Sequence, residues 1–156
     1  MVLAHDIAGA TDDLRADLRE ATMAAHDLLD HAMQAAAGWQ TRGDYARFLA
    51  IQHAARAPVE AWLARHAPVD LMPPVQTPLL ARDLAALGAA APARCLPFDT
   101  LQTPKGAASG HALGAAWVLA GSALGNRAIA RQVARIGGGA WPVAFLEDDA
   151  MMVFWQ

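Results

Sequence analysis

Residues 107–136 read AASGHALGAAWVLAGSALGNRAIARQVARI, and three consecutive glycines follow at 137–139. Alanine, which has the highest intrinsic helix propensity, recurs throughout, and β-branched residues are few. The stretch therefore predicts one long helix that ends at the triple glycine, where the left-handed backbone conformation is accessible. Because Gly114, Gly121 and Gly125 fall inside it, we expect glycine to bend or interrupt this helix.

A second helix is predicted near the N-terminus, from a cap at Thr11 to about Ala37. Its apolar residues recur with helical spacing and share one face: Leu14, Leu18, Ala21, Ala25, Leu28, Leu29 and Ala32. Residues 1–10 have no such pattern, so we predict a flexible N-terminus there.

The next helix begins after Thr41, and Pro58 either kinks it or opens a further helix. Its predicted apolar face contains Tyr45, Phe48, Leu49 and Gln52.

Two short helices complete the prediction. One starts at Pro78, where a missing N–H is tolerated, and stops at Gly88. Residues 89–104 are interrupted by prolines and are predicted to be a connector. The last helix lies within 141–156 and is predicted to be capped by Asp148.

Composition narrows the class of protein. The 156 residues carry a formal net charge of −3, and 17% are charged, against about 25% in an ordinary soluble domain. A chain so poor in charge must bury much of itself or bind an apolar ligand, and its slight acidity argues against nucleic acid as a partner. The single cysteine, Cys95, excludes an internal disulfide. We expect one all-α domain over residues 11–156, cytoplasmic and without a membrane span.

A polar stripe borders the apolar face of the first helix and contains the first candidate site. Its members are Arg19, Thr22, His26, Asp30 and Met33. At this edge the imidazole of His26 can enter a pocket, and a carboxylate four residues later can orient the ring. The alternative is a half-exposed histidine that pairs with Asp30.

The glycines of the long helix form the second candidate. Each costs roughly 0.5–1 kcal/mol relative to alanine inside a helix. Either they clear space so that a flat or bulky group can approach the backbone, or they let another helix pack tightly. One helix with a histidine and a second with a glycine face provide two walls for a planar macrocycle, whose iron a histidine can bind.

In these two helices the sequence resembles the heme oxygenases, especially the bacterial ones associated with phytochromes. The proximal helix of that family is similar to Leu18-Arg-Glu-Ala-Thr22-x-x-x-His26-x-x-Leu29-Asp30. The kinked distal helix is similar to Trp117-Val-Leu-Ala-Gly121-Ser122-Ala-Leu-Gly125, and the segments Tyr45-x-x-Phe48-Leu49 and Leu80-x-x-Asp83-Leu84 match the helices between. The resemblance covers roughly residues 14–155 and implies a heme oxygenase-like, multi-helical single domain.

The resemblance also implies a role for each matching residue. His26 is expected to be the proximal ligand of the heme iron. Further heme contacts are expected from Arg19, which would lie near a propionate, and from Thr22, Trp117 and Arg127. The distal, catalytic side is expected to consist of Gly121, Ser122, Gly125 and Asn126.

In this family heme is both substrate and cofactor. It is opened by oxygen, with electrons from a reductase or ferredoxin, to biliverdin, carbon monoxide and free iron. The resemblance implies the same oxidoreductase activity here, with an external electron donor and a bilin-binding photoreceptor as partners.

Several positions depart from the family pattern. Asn126 replaces a usual second glycine, Ala120 a glutamate of bacterial relatives, Trp117 a tyrosine, and Ser122 an acidic residue of the animal enzymes. The family also continues through a further helix beyond the equivalent of Gln156, so we expect weaker propionate anchoring. The alternative function is therefore a non-catalytic heme carrier or sensor of the same fold, and a third is binding of another apolar ligand or a protein partner.

Overall fold

The computed structural model describes residues 16–17, 19–28, 31, 40–98 and 108–155. Every regular element in these ranges is helical, so the protein is all-α, as predicted. Contacts divide the chain into two compact units, Met1–Gly38 and Trp39–Gln156, which are described separately below. Within the described ranges, no helix combines the length and apolarity needed to cross a membrane. The predicted flexible segment 1–10 lies outside them.

The first unit contains a helical segment at the predicted place, with residues 16–17, 19–28 and 31 in helical conformation. Three described members of the predicted apolar face, Ala21, Ala25 and Leu28, are exposed, and Leu28 is 73% exposed. The other members, at positions 14, 18, 29 and 32, lie outside the described residues. The helix is therefore confirmed where it is described, whereas the described part of its apolar face is not buried.

The second unit begins with helix α1, Arg42–His66. It starts as predicted after Thr41, whose hydroxyl oxygen accepts a hydrogen bond from the Asp44 N–H while its own N–H donates to the Asp44 carboxylate, both at 3.1 Å. The Thr41 hydroxyl also donates to this carboxylate, at 2.7 Å. This hydrogen bond, followed by the one from the Thr41 N–H, lowers the pKa of Asp44 more than the nearby charge of Arg47 does. Pro58 lies inside the helix without ending it, so a single helix is correct.

Helix α2, Thr77–Ala86, follows a short 3-10 turn at Val69–Leu71. Pro78 stands in its first turn, as predicted. Its end is also as predicted, because Gly88 has a φ of 76°. The N–H groups of Gly88 and Ala89 donate to Ala85 O and Leu84 O, both at 2.9 Å, which satisfies the last carbonyls of the helix.

The long predicted helix is interrupted at its glycines. It consists of α3, Ala108–Ser122, a 3-10 turn at Ala123–Gly125, and α4, Asn126–Ile136. The triple glycine ends α4 with positive φ values at Gly138 and Gly139. The last helix, α5, spans Ala150–Trp155. Asp148, predicted to cap it, instead accepts a hydrogen bond from Gln76 Nε2 at 3.0 Å.

One core cluster joins α1, α3 and α5. Its buried members are Trp62, Leu63, Ala112, Leu119, Ala120, Ala123 and Met151. Here α3 contributes mainly alanines, while α1 and α5 contribute the large side chains. The alanines leave space beside the α3 backbone, and the large side chains of α1 and α5 fill that space.

Two buried carboxylates tie loops to helices. Glu60 of α1 accepts hydrogen bonds from Gln76 N at 2.9 Å and from Thr77 N and Oγ1 at 3.3 and 2.7 Å. Asp83 of α2 accepts from Ala144 N at 3.2 Å and Phe145 N at 2.9 Å. Burial nevertheless raises the pKa of Asp83, and these two N–H groups oppose that shift.

We expect Asp83→Ala to lower the free energy of unfolding by about 2–3 kcal/mol, since two backbone N–H groups lose their acceptor. Asp83→Asn is the control, because it keeps the shape and one acceptor oxygen. Urea unfolding of both variants measures the difference. A loss in the alanine variant no larger than in the asparagine variant would contradict the role given to this carboxylate.

The same pair tests the pKa of Asp83. Because the pKa is raised in the folded state, the contribution of this group to stability is fully present below the unfolded pKa of about 3.9 and is lost as pH rises through the folded pKa. The stability of the parent relative to the non-titrating Asp83→Asn variant should therefore fall across that interval. A relative stability that rises with pH there would show that the pKa is lowered.

Candidate functional site

The outward face of α3 is apolar and open. Three large side chains of α3 and one from the following turn are each at least 49% exposed: Leu113 at 52%, Trp117 at 49%, Val118 at 67% and Leu124 at 55%. A helical face with four large apolar groups in solvent is typical of a surface that binds something. The first candidate surface is this set of residues, which we call the α3 face.

The glycines of α3 border the α3 face. Gly110, Gly114 and Gly125 are exposed, and a Cβ built on any of them meets no heavy atom within 4 Å outside its own helix in the described part of the chain. Of the two explanations for these glycines, tight helix packing therefore does not apply to Gly114 and Gly125. They leave open space beside the backbone of a surface whose other members are large and apolar.

The α3 face is outward because the inward face is filled with small residues. Ala112, Ala116, Ala120 and Ala123 are each less than 5% exposed. In a helix only one face can meet the core, where Leu119 joins the alanines, so Leu113, Trp117 and Val118 are left on the outward side. This arrangement reverses the usual preference for large apolar residues inside and small ones outside.

At the end of α3, Ser122 connects two elements. Its hydroxyl donates to Leu119 O at 2.7 Å and accepts from Arg56 Nη2 at 2.6 Å. The Arg56 hydrogen bond joins α1 to the point where α3 gives way to the 3-10 turn. The predicted distal residues Gly121, Ser122 and Gly125 are thus brought together at this joint, beside an arginine that the sequence analysis did not single out.

Arg56 is the least expected residue of the site. It is 3% exposed, and its guanidinium carbon lies 5.1 Å from the centroid of the Phe145 ring. Burial lowers its pKa, and the negative charge of Glu60 opposes this shift. The position was detectable in the sequence, because Arg56 lies seven residues from both Leu49 and Leu63, in the middle of their buried stripe.

Asn126 does not share the open surface. Its side chain is 5% exposed, and its Nδ2 has no hydrogen-bond partner in the described structure. Asn126 was expected to line the distal side of a heme, but its amide is buried and is not part of the exposed α3 face. Ala120 is likewise buried, at 1% exposure.

Arg127 is engaged elsewhere at the surface. Its Nη2 donates to Asp149 Oδ1, and both side chains are more than half exposed. The Arg127–Asp149 ion pair is solvated and therefore adds little stability.

A groove of about 180 Å³ runs along α4 and is lined by Arg127, Ala130, Arg131, Ala134 and Glu147.

In the first unit, His26 is exposed and its Nδ1 lies 2.9 Å from Thr22 O. That contact favours the tautomer with a proton on Nδ1, so the lone pair is on Nε2, where a metal can bind. His31 has the same arrangement, with Nδ1 2.6 Å from Asp27 O. Arg19 and Thr22 are exposed, and Thr22 Oγ1 is 3.5 Å from Arg19 O. Asp30 and Met33 lie outside the described residues.

Comparison with known families, curated proteins and solved structures finds no match to this chain. The resemblance to heme oxygenases therefore depends on the sequence motifs alone.

Proposed function

We propose that this protein binds heme and opens the ring oxidatively to a bilin. Two features support the proposal independently: the α3 face of the second unit, and His26 of the first unit, which has the chemistry of an axial ligand. The observation that supports the proposal most strongly is the α3 face itself, where exposed Leu113 and Trp117 adjoin backbone left open by Gly114. A flat, apolar ring system needs this combination of apolar contact and close access to the backbone.

The donor set of the first unit fits the same group. Hydrogen bonding of Nδ1 to Thr22 O leaves Nε2 of His26 as the ligating atom, and neutral imidazole is a common axial ligand of heme. Bound heme supplies the oxygen chemistry, with electrons from an external reductase or ferredoxin. The protein's residues orient the ring and exclude water from its apolar side.

We expect His26→Ala to lose the Soret band of the histidine-ligated complex in a heme titration. His31→Ala is the matched control, since His31 is not a member of the polar stripe yet makes the same contact to a backbone carbonyl. The control should titrate like the parent. Loss of the band in His31→Ala but not in His26→Ala would reassign the ligand, and loss in neither would remove axial histidine ligation from this segment.

The α3 face is tested by filling the open space at Gly114. Gly114→Leu adds a branched side chain where the backbone is exposed, so the fold tolerates it, while heme loses its approach to the helix. We expect heme affinity to fall at least about tenfold, which corresponds to 1.4 kcal/mol. Ala128→Leu adds the same side chain at an exposed position of α4 and should leave the affinity unchanged. Equal affinities for both variants would place heme elsewhere.

The second candidate, a heme carrier or sensor, is favoured by the hydrogen bonds of Ser122. Its hydroxyl proton goes to Leu119 O and one lone pair accepts from Arg56, and the neighbouring Ala120 is buried and apolar. Few polar groups then remain on the expected distal side to deliver protons for ring opening.

The two candidates are separated by supplying the heme complex with a reductant and oxygen. For the enzyme we expect the Soret band to disappear and biliverdin absorbance to appear. A carrier instead gives a persistent oxygen complex or no reaction. Because both outcomes require heme binding, this measurement follows the titration and does not replace it.

A further inference from the structure

The Arg56 guanidinium is a buried cation, and some of its N–H donors have no hydrogen-bond acceptor among the described residues. Among the described residues its one hydrogen bond is from Nη2 to Ser122 Oγ, whereas Nε and Nη1 are buried without a partner. Together these two nitrogens have three N–H groups. Buried charges in proteins are normally paired with an opposite charge and fully hydrogen-bonded.

The nearest acidic residue along α1 does not supply that pairing. Glu60 lies one turn after Arg56, but its two carboxylate oxygens accept from the start of α2, at Gln76 and Thr77. Within the described ranges, no carboxylate lies within ion-pair distance of Arg56. The guanidinium also lies over the ring of Phe145, and this contact does not provide a hydrogen-bond acceptor for the in-plane N–H groups of Arg56.

Further buried donors belong to the neighbouring turns. Asn126, one turn after Ser122, is 5% exposed and keeps Nδ2 without a partner. His53, one turn before Arg56 on α1, has a buried Nδ1 that is also without one. Ser122, which accepts from Arg56 Nη2, is exposed at the joint between α3 and α4.

We propose that Arg56, positioned by Ser122, and Asn126 form a binding site for a small planar monoanion of the carboxylate class at the joint between α3 and α4. The planar fork of a guanidinium matches the two oxygens of a carboxylate. The amide of Asn126 is a neutral donor, so Arg56 supplies the one positive charge. Because the negative charge of Glu60 also acts on Arg56, we expect the anion to carry no more than one negative charge. The site belongs to the second unit and does not depend on heme.

The test uses the heme-free protein and formate as the probe. Ionic strength is held constant with sodium chloride, so that screening is the same in every sample. We expect the melting temperature to rise with formate and to saturate, by about 4–7 °C when formate reaches about twenty times Kd. Arg56→Gln should show no rise beyond chloride alone, whereas Arg131→Gln, an exposed arginine of α4, should respond like the parent.

A second measurement does not depend on the variants folding. The Nε–Hε resonance of Arg56 in the parent should shift saturably with formate and not with chloride, with the same Kd as the thermal series. A thermal rise that chloride reproduces, a rise that persists in Arg56→Gln, or an Arg56 resonance that formate leaves in place would each overturn the proposal. The free donors of Arg56 would then be hydrated, and its role would be structural.

Discussion

The second unit depends on the buried carboxylate of Glu60. Its two oxygens accept three hydrogen bonds from Gln76 and Thr77, so the end of the connection after α1 and the start of α2 are fixed to the middle of α1. α2 in turn presents Asp83 to the backbone of Ala144 and Phe145. Phe145 lies under the guanidinium of Arg56. One acceptor thus begins a chain of contacts that ends at the joint between α3 and α4.

This arrangement explains why a cation is left in the core. Had Glu60 paired with Arg56, one turn away, the N–H groups at the start of α2 would have lost their acceptor. Instead, the Glu60 carboxylate accepts from the start of α2, and the Arg56 guanidinium contacts the Ser122 hydroxyl and the Phe145 ring. Neither group neutralises a charge, which is why the Arg56 site has anion-binding chemistry.

The sequence was sufficient to predict most helices of the second unit. The start of a helix after Thr41, the proline in the first turn of α2, the stop at Gly88 and the interruption of the long helix at its glycines follow from local chemistry, and each is confirmed. Local chemistry acts within one turn of helix, and so it is visible in a single sequence.

The site was harder to predict, because it depends on which face of each helix meets the core. Helical spacing identifies Leu113, Trp117 and Leu124 as one face of the helix. It does not show that this face is exposed while the alanine face packs in the core. Asp148 lies two residues before α5, and its carboxylate accepts from Gln76, which is distant in sequence. Arg56 was detectable from its place between Leu49 and Leu63, but the residues that contact it, Ser122 and Phe145, are also distant in sequence.

The packing of α3 also means that its two sides tolerate substitution differently. On the inward half, Ala112 and Ala120 pack in the core with Trp62, Leu63 and Met151, so a larger residue at either position would displace these side chains. On the outward half, a side chain added at Gly114, or at Gly125 in the following turn, meets open space among the described residues. Packing alone therefore does not require glycine on the outward half, whereas it restricts the inward half.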